Sequence, residues 1–146
     1  MKHIALFFHL LGLSVWAGSF IAMTICVTGL RSERISLEIK QLLNNAQVRF
    51  TLIGNLGALA MLISGFGLFS MSNTHAIWVD LMAGIGGGVC MFSIIAITLQ
   101  SNILSGRIKS NLFDNLLKGQ LGLISFSSWF VMIGIVVVLG VVSYRV

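Results

Sequence analysis

The sequence predicts an all-α integral membrane protein whose 146 residues form one domain, a bundle of four transmembrane helices. Two features of its composition indicate this class. Apolar residues make up 57% of the chain while only 9% are charged, and the mean hydropathy is +1.01. A soluble domain has roughly a quarter of its residues charged. Most of the surface of this chain is therefore expected to face lipid.

A third observation is that the apolar residues form four long runs. We predict transmembrane spans at about 4–30, 50–71, 76–104 and 119–144. Each is long enough, because about 20 apolar residues cross the hydrocarbon core of a bilayer. The polar stretch Ser72–His75 interrupts the apolar sequence and is predicted to be the turn between the second and third spans.

The first span follows Lys2 and has some features of a secretory signal peptide. Its uncharged stretch continues to Leu30, which is longer than the apolar region of a typical signal peptide. We therefore expect this segment to be retained as the first transmembrane helix.

Two amphipathic connectors precede the second and fourth spans. In 32–48, apolar side chains recur at spacings of three and four residues, and 110–118 repeats the pattern over a shorter length. This periodicity is typical of a helix with one apolar face. Each connector is expected either to lie on the cytoplasmic membrane surface or to extend the span that follows it.

The basic residues predict the orientation in a cell's inner (plasma) membrane. Seven of the nine Lys and Arg follow the first or third span, and two lie at the other side: Arg31, Arg34, Lys40, Arg49, Arg107, Lys109 and Lys118 against Lys2 and Arg145. Cytoplasmic loops are enriched in Lys and Arg, so both termini are expected outside. The basic residues form no stripe interleaved with aromatic residues, and nucleic-acid binding is not expected.

Small residues at four-residue spacing predict where the helices pack closely. They are Ser14, Gly18 and Ala22 in the first span, Gly54 and Ala58 in the second, and Gly84 and Gly88 in the third. Such ridges let transmembrane helices approach one another. The glycines of the third span could instead leave room for a flat cofactor.

A few ionisable side chains lie within or beside the spans, and in the predicted topology they gather in the outer half. His9 is inside the first span, Asp80 is about one turn into the third, and His75 is in the outer turn. Because such groups are costly in a membrane, each is a candidate functional residue. A neutral imidazole binds a metal through one nitrogen while a carboxylate orients the other. His9 is thus a candidate metal ligand with Asp80 as its neighbour.

Second ligands and aromatic neighbours for such a metal are also present. Met82 and His75 are candidates to complete the coordination of a haem iron. Trp16 follows His9 by two helical turns and shares its face, so it would either pack against a porphyrin edge or fill the bundle core. The alternatives are ordinary: Met82 as core, His75 as an interfacial residue, and Asp80 as a hydrated group at the helix start.

The first span also carries a family resemblance. The segment His9-Leu-Leu-Gly-Leu-Ser-Val-Trp16-Ala-Gly18 resembles the opening helix of the copper-resistance protein D (CopD) family and of the small four-helix HemJ-type protoporphyrinogen oxidases. The second resemblance implies that His9 binds haem. HemJ-type proteins carry a Lys early in the third helix and a His near its end. In this sequence neither a Lys nor a His occurs between Asp80 and Gly106.

These features together predict a function. We expect a membrane protein that binds haem b or a related redox metal such as copper, and that acts in electron transfer or in the assembly of a haem or respiratory complex. The alternatives are a non-catalytic membrane subunit without a cofactor and, less favoured, a transporter of copper or another small molecule. The expected partners are the lipid bilayer and either further copies of the chain or a larger membrane complex.

Overall fold

The computed structural model describes residues 2–32, 34–71, 77–110 and 115–143, all within or beside helices. The elements are α1 (Lys2–Leu30), α2 (Leu37–Ser70), α3 (Ile77–Phe92), a π-helical turn (Ser93–Ile97), α4 (Thr98–Lys109) and α5 (Asn115–Ser143). In these ranges four helical segments are long and apolar enough to cross a membrane: α1, α2, the continuous α3–α4 segment and α5. The all-α fold class with four membrane-spanning helices is confirmed.

The first connector is an extension of the second span. Helix α2 runs without a break for 34 residues, so the second of the two expectations is correct here. Its start is fixed by Ser36, whose hydroxyl accepts a hydrogen bond from the Ile39 backbone N–H at 3.4 Å. In the second connector, 115–118 belongs to α5. The predicted turn at 72–75 and residues 111–114 lie outside the described residues.

Helices α1 and α2 pack through a pair of glycines. A Cβ atom on Gly12 would lie 2.7 Å from the Gly57 carbonyl oxygen, and one on Gly57 would lie 2.8 Å from the Trp16 nitrogen. The two backbones are therefore in direct contact. Around this point Ser19 packs on Gly54, whose added Cβ would lie 3.2 Å from the serine Cβ.

The small-residue ridge predicted for the first span is wrong, although that of the second span is correct. Gly18 has open space where a Cβ would be, and Ser14 is exposed. The buried face of α1 carries Trp16 and Phe20 instead. Lipid and protein interior are both apolar, so small residues alone do not show which face meets a neighbouring helix.

The third span contains the π-helical turn at Ser93–Ile97. A π turn holds an extra residue, so it rotates the helix beyond it by roughly 100° relative to a straight α-helix. Because of this rotation Ser93 shares a face with Ser101 and Ser105, and this face is turned toward α1 and α2. Helix α1 packs chiefly against α2 and also against α5, and α5 packs against α3 and α4.

Candidate functional site

His9 lies half-buried between α1 and α2. Its Nδ1 is 3.0 Å from the main-chain oxygen of Met61 and 3.5 Å from the hydroxyl oxygen of Ser64. The space for the ring is provided by Gly65, because a Cβ at that position would lie 3.1 Å from the imidazole Cε1. The position of the imidazole is thus determined by the backbone of α2, which sequence reasoning did not anticipate.

The Met61 contact selects between the two neutral tautomers of His9. A carbonyl oxygen only accepts hydrogen bonds, so in the neutral imidazole Nδ1 carries the proton and Nε2 carries the lone pair. Within the described ranges, Nε2 has no hydrogen-bond partner. Histidines that bind metals commonly donate their other ring N–H to a backbone carbonyl in this way. The same bond also suits a histidine that only joins two helices.

The other candidate ligands are only partly described. Asp80 is exposed on α3, and no hydrogen bond or ion pair joins it to another described residue. Its role as the orienting neighbour of His9 stays a prediction. Met82 belongs to α3, but its side chain, like the whole of His75, lies outside the described part of the structure. Among the described residues no three His, Cys, Asp or Glu side chains converge on one point.

Trp16 is a core residue that joins α1 to the third span. It is only 2% exposed, and its indole Nε1 donates to the Ser93 hydroxyl at 3.2 Å. Its ring meets Phe20 edge to face, with centroids 6.0 Å apart. Ser93 in turn donates to the Cys90 carbonyl oxygen at 2.8 Å. This geometry corresponds to the core-filling expectation for Trp16, with a hydrogen bond added.

A ladder of polar side chains, which we call the polar ladder, joins α2 to α4 inside the bundle. Asn44 donates to the Ser105 hydroxyl at 3.2 Å, and the Ser101 hydroxyl donates to Gln47 Oε1 at 3.2 Å. One turn further along, the Thr51 hydroxyl lies 3.4 Å from that of Ser101. In membranes such bonds hold helices together, because an unpaired polar group in hydrocarbon is costly.

The polar ladder ends at Asn55, whose amide donates to the Thr98 hydroxyl at 2.7 Å. An amide inside an apolar span is expected to bond to a neighbouring helix, and Asn55 does so. The rest of the ladder was missed, because the pattern of 32–48 was interpreted from its apolar residues. A usable signal was present: polar residues of α2 recur at spacings of three and four, and those of α4 do so at matching positions.

Burial on α2 is the reverse of what a soluble helix shows. Asn44 and Gln47 are buried, while Leu42 is 68% exposed. A helix surrounded by lipid turns its polar side chains inward and its apolar ones outward. This part of α2 therefore meets apolar surroundings, in agreement with a membrane-spanning bundle.

The fold and these contacts define the class of the protein: a multi-pass, four-helix membrane bundle with a polar seam between its second and third spans. Comparison with known families, with characterised proteins and with solved structures finds no match to this chain.

Proposed function

We propose that this chain is a haem-b-binding membrane protein in which His9 would hold the haem iron. It would act in electron transfer, or in the assembly of a haem-containing or respiratory complex. The observation that carries the proposal is the contact between His9 Nδ1 and the Met61 carbonyl oxygen at 3.0 Å. In the neutral imidazole this contact leaves the lone pair on Nε2, the form in which histidine coordinates metals.

The donor set suits haem. The porphyrin brings nitrogen ligands of its own, so a single histidine would be sufficient to hold the iron. When bound, haem would supply one-electron redox chemistry, and His9 would hold the iron through Nε2. A copper ion without a porphyrin needs several protein ligands. These would have to come from side chains such as Met82 and His75, which lie outside the described part.

We further propose that the protein resides in the inner (plasma) membrane with both termini outside. The support is the charge distribution, with seven Lys and Arg after the first and third spans. His9 would then lie in the outer leaflet. Reporter fusions test this orientation. A fusion after Gly106 should remain cytoplasmic and one after Val146 should be exported, and the opposite result would overturn the orientation.

The test of haem binding is the absorbance spectrum and iron content of the purified protein. We expect a Soret band in the wild type and its loss in His9→Ala. His3→Ala is the matched control, because His3 is exposed on the same helix, and its spectrum should be unchanged. If the wild type shows neither a Soret band nor bound iron, the proposal fails. If His9→Ala keeps the wild-type spectrum, His9 is not the ligand.

A second pair of variants tests the position of the imidazole without changing the ligand. Gly65→Val would place atoms against the His9 ring, since even a Cβ there is 3.1 Å from Cε1. We expect weaker haem binding or a shifted Soret band. Gly67→Val is the matched control, because a Cβ at Gly67 meets nothing within 4 Å. Equal spectra for both variants would contradict the proposed role of this position.

The second candidate function is a non-catalytic membrane subunit without a cofactor. One observation favours it: the bond from His9 to the Met61 carbonyl already satisfies one ring nitrogen and joins α1 to α2. In this case His9→Ala would lower stability without any spectral change. A colourless, iron-free wild type that purifies as part of a larger membrane complex would support this candidate over haem binding.

A further inference from the structure

Contacts between the spans show which residues lie at the same depth in the half of the bundle that the proposed orientation places toward the cytoplasm, which we call the inner half. The Thr51 hydroxyl is 3.4 Å from the Met23 sulfur and 3.4 Å from the Ser101 hydroxyl. Closer to the inner end, Gly29 lies against Leu43, where an added Cβ would be 2.9 Å from a leucine methyl carbon. The stretch of α2 from Leu43 to Thr51 spans the distance between these two levels. At 1.5 Å per residue they enclose a layer of the bundle about 12 Å thick.

Each of the four spans carries an exposed, large apolar side chain at or next to this layer. Arg31, just beyond the inner end of α1, donates to the Leu121 carbonyl oxygen at 3.3 Å. This bond shows which part of α5 lies at the depth of the inner end of α1. These apolar side chains are Ile25, Leu52, Ile103 and Phe126. The exposed uncharged polar residues of the layer are Thr28, Asn45 and Asn102. A surface on which large apolar side chains predominate faces hydrocarbon.

Arg49 is a charged residue on the outer surface of this layer. It lies two residues from Thr51 and six from Leu43, so it is about 9 Å further into the bundle than the Gly29 contact. Its side chain is exposed, as are those of Leu42 and Leu52 on the same face of α2. A guanidinium therefore projects from an apolar, lipid-facing surface.

No protein group in the described ranges neutralises this charge. Arg49 makes no hydrogen bond or ion pair with another described residue. The described carboxylate on this face of α2 is Glu38, which is eleven residues away, or about 16 Å along the helix. An arginine at such a place extends toward the headgroups, where anionic groups are available to pair with it.

The chemistry of the neighbouring groups indicates which anion this position favours. The guanidinium fork matches the oxygens of a phosphate. Asn45 is exposed one helical turn nearer the inner end on the same face, where its amide offers further N–H donors. The sequence between the first and second spans and between the third and fourth spans contains seven Lys and Arg against Glu33, Glu38 and Asp114. This excess of positive charge favours a lipid with a net negative charge over a zwitterionic one.

We infer that Arg49 and Asn45 form a binding site for the phosphate of an anionic phospholipid, seated on the lipid-facing side of α2. The lipid tails would then lie along the apolar face that Leu52 and Leu56 present. This site is independent of His9 and of any cofactor.

The experiment titrates the detergent-purified protein with phosphatidylglycerol or phosphatidylcholine and counts bound lipid by native mass spectrometry. The variant is Arg49→Gln, and the matched control is Arg34→Gln, which removes the same charge from an exposed position in the connector. The wild type and Arg34→Gln should prefer phosphatidylglycerol. Arg49→Gln should bind it about fivefold more weakly, the effect of one basic residue near the membrane surface. Phosphatidylcholine binding should be equal in all three.

Two outcomes would overturn the inference. One is equal affinity of Arg49→Gln and Arg34→Gln for phosphatidylglycerol, and the other is equal affinity of the wild type for both lipids. If Arg49→Gln does not fold, Arg49→Lys replaces it, since it keeps the charge and removes the bidentate fork. Weaker binding of phosphatidylglycerol by Arg49→Lys than by the wild type supports the site, and unchanged binding contradicts it.

Discussion

The indole Nε1 of Trp16 donates a hydrogen bond to the hydroxyl of Ser93 at 3.2 Å, across 77 positions of the chain. Both side chains are buried, and Ser93 is the first residue of the π-helical turn. The turn is what brings Ser93 to the side of the third span that faces α1. This bond therefore depends both on the depth of α1 relative to the third span and on the direction in which the third span turns Ser93.

The first prediction is that Trp16 and Ser93 are energetically coupled. In a double-mutant cycle with Trp16→Phe and Ser93→Ala, we expect a coupling energy of about 0.6 kcal/mol and at most about 1.7 kcal/mol, the range found for hydrogen bonds between transmembrane helices. The measurement is unfolding in mixed micelles. The control cycle combines Trp16→Phe with Ser14→Ala, because the Ser14 hydroxyl donates to the Leu10 carbonyl oxygen within its own helix. A coupling no larger than in the Ser14 cycle would contradict the prediction.

The second prediction concerns the glycine contact between α1 and α2. Gly12→Ala should destabilise the protein by about 1–3 kcal/mol, because the new Cβ would meet main-chain atoms that cannot rotate away. The closest is the Gly57 carbonyl oxygen, at 2.7 Å. Gly18→Ala is the matched control on the same helix. It should be neutral or slightly stabilising, since a Cβ there meets nothing within 4 Å. Equal unfolding free energies for the two variants would disprove this packing.

The third prediction tests the polar ladder. Gln47 is completely buried and accepts from Ser101, so Gln47→Leu leaves a buried hydroxyl without its acceptor. We expect the free energy of unfolding to fall by about 1–2 kcal/mol. Gln41→Leu makes the same chemical change at an exposed position of α2 and should have little effect. If both variants unfold alike, the ladder does not stabilise the bundle.

The fourth prediction is that both cysteines remain reduced thiols. Cys26 and Cys90 are buried and unpaired. Trp16 bonds to Ser93, close to Cys90, whereas Cys26 is ten residues further along α1, or about 15 Å at 1.5 Å per residue. A disulfide requires Cα atoms within about 7 Å. A maleimide should label both only after denaturation, and an intact mass showing an internal bridge would refute this.

The sequence was sufficient for the features that depend on composition and length. The four spans follow from apolar runs, and the helix-bonding role of Asn55 follows from the cost of an amide in hydrocarbon. The depth of His9 also follows from its place in the first run. These predictions need only the position of a residue along one helix, which the order of the chain supplies directly.

The tertiary structure alone determined which face of each helix meets protein. Gly12 is in the interface between α1 and α2 and Gly18 is not, although both are small residues in the same apolar run. Likewise the partner of His9 is the Met61 backbone carbonyl, which no side-chain pattern reveals. The physical reason is that lipid and protein interior are both apolar. In water the pattern of polar residues identifies the buried face, but in a membrane that face is identified only by the helix that packs against it.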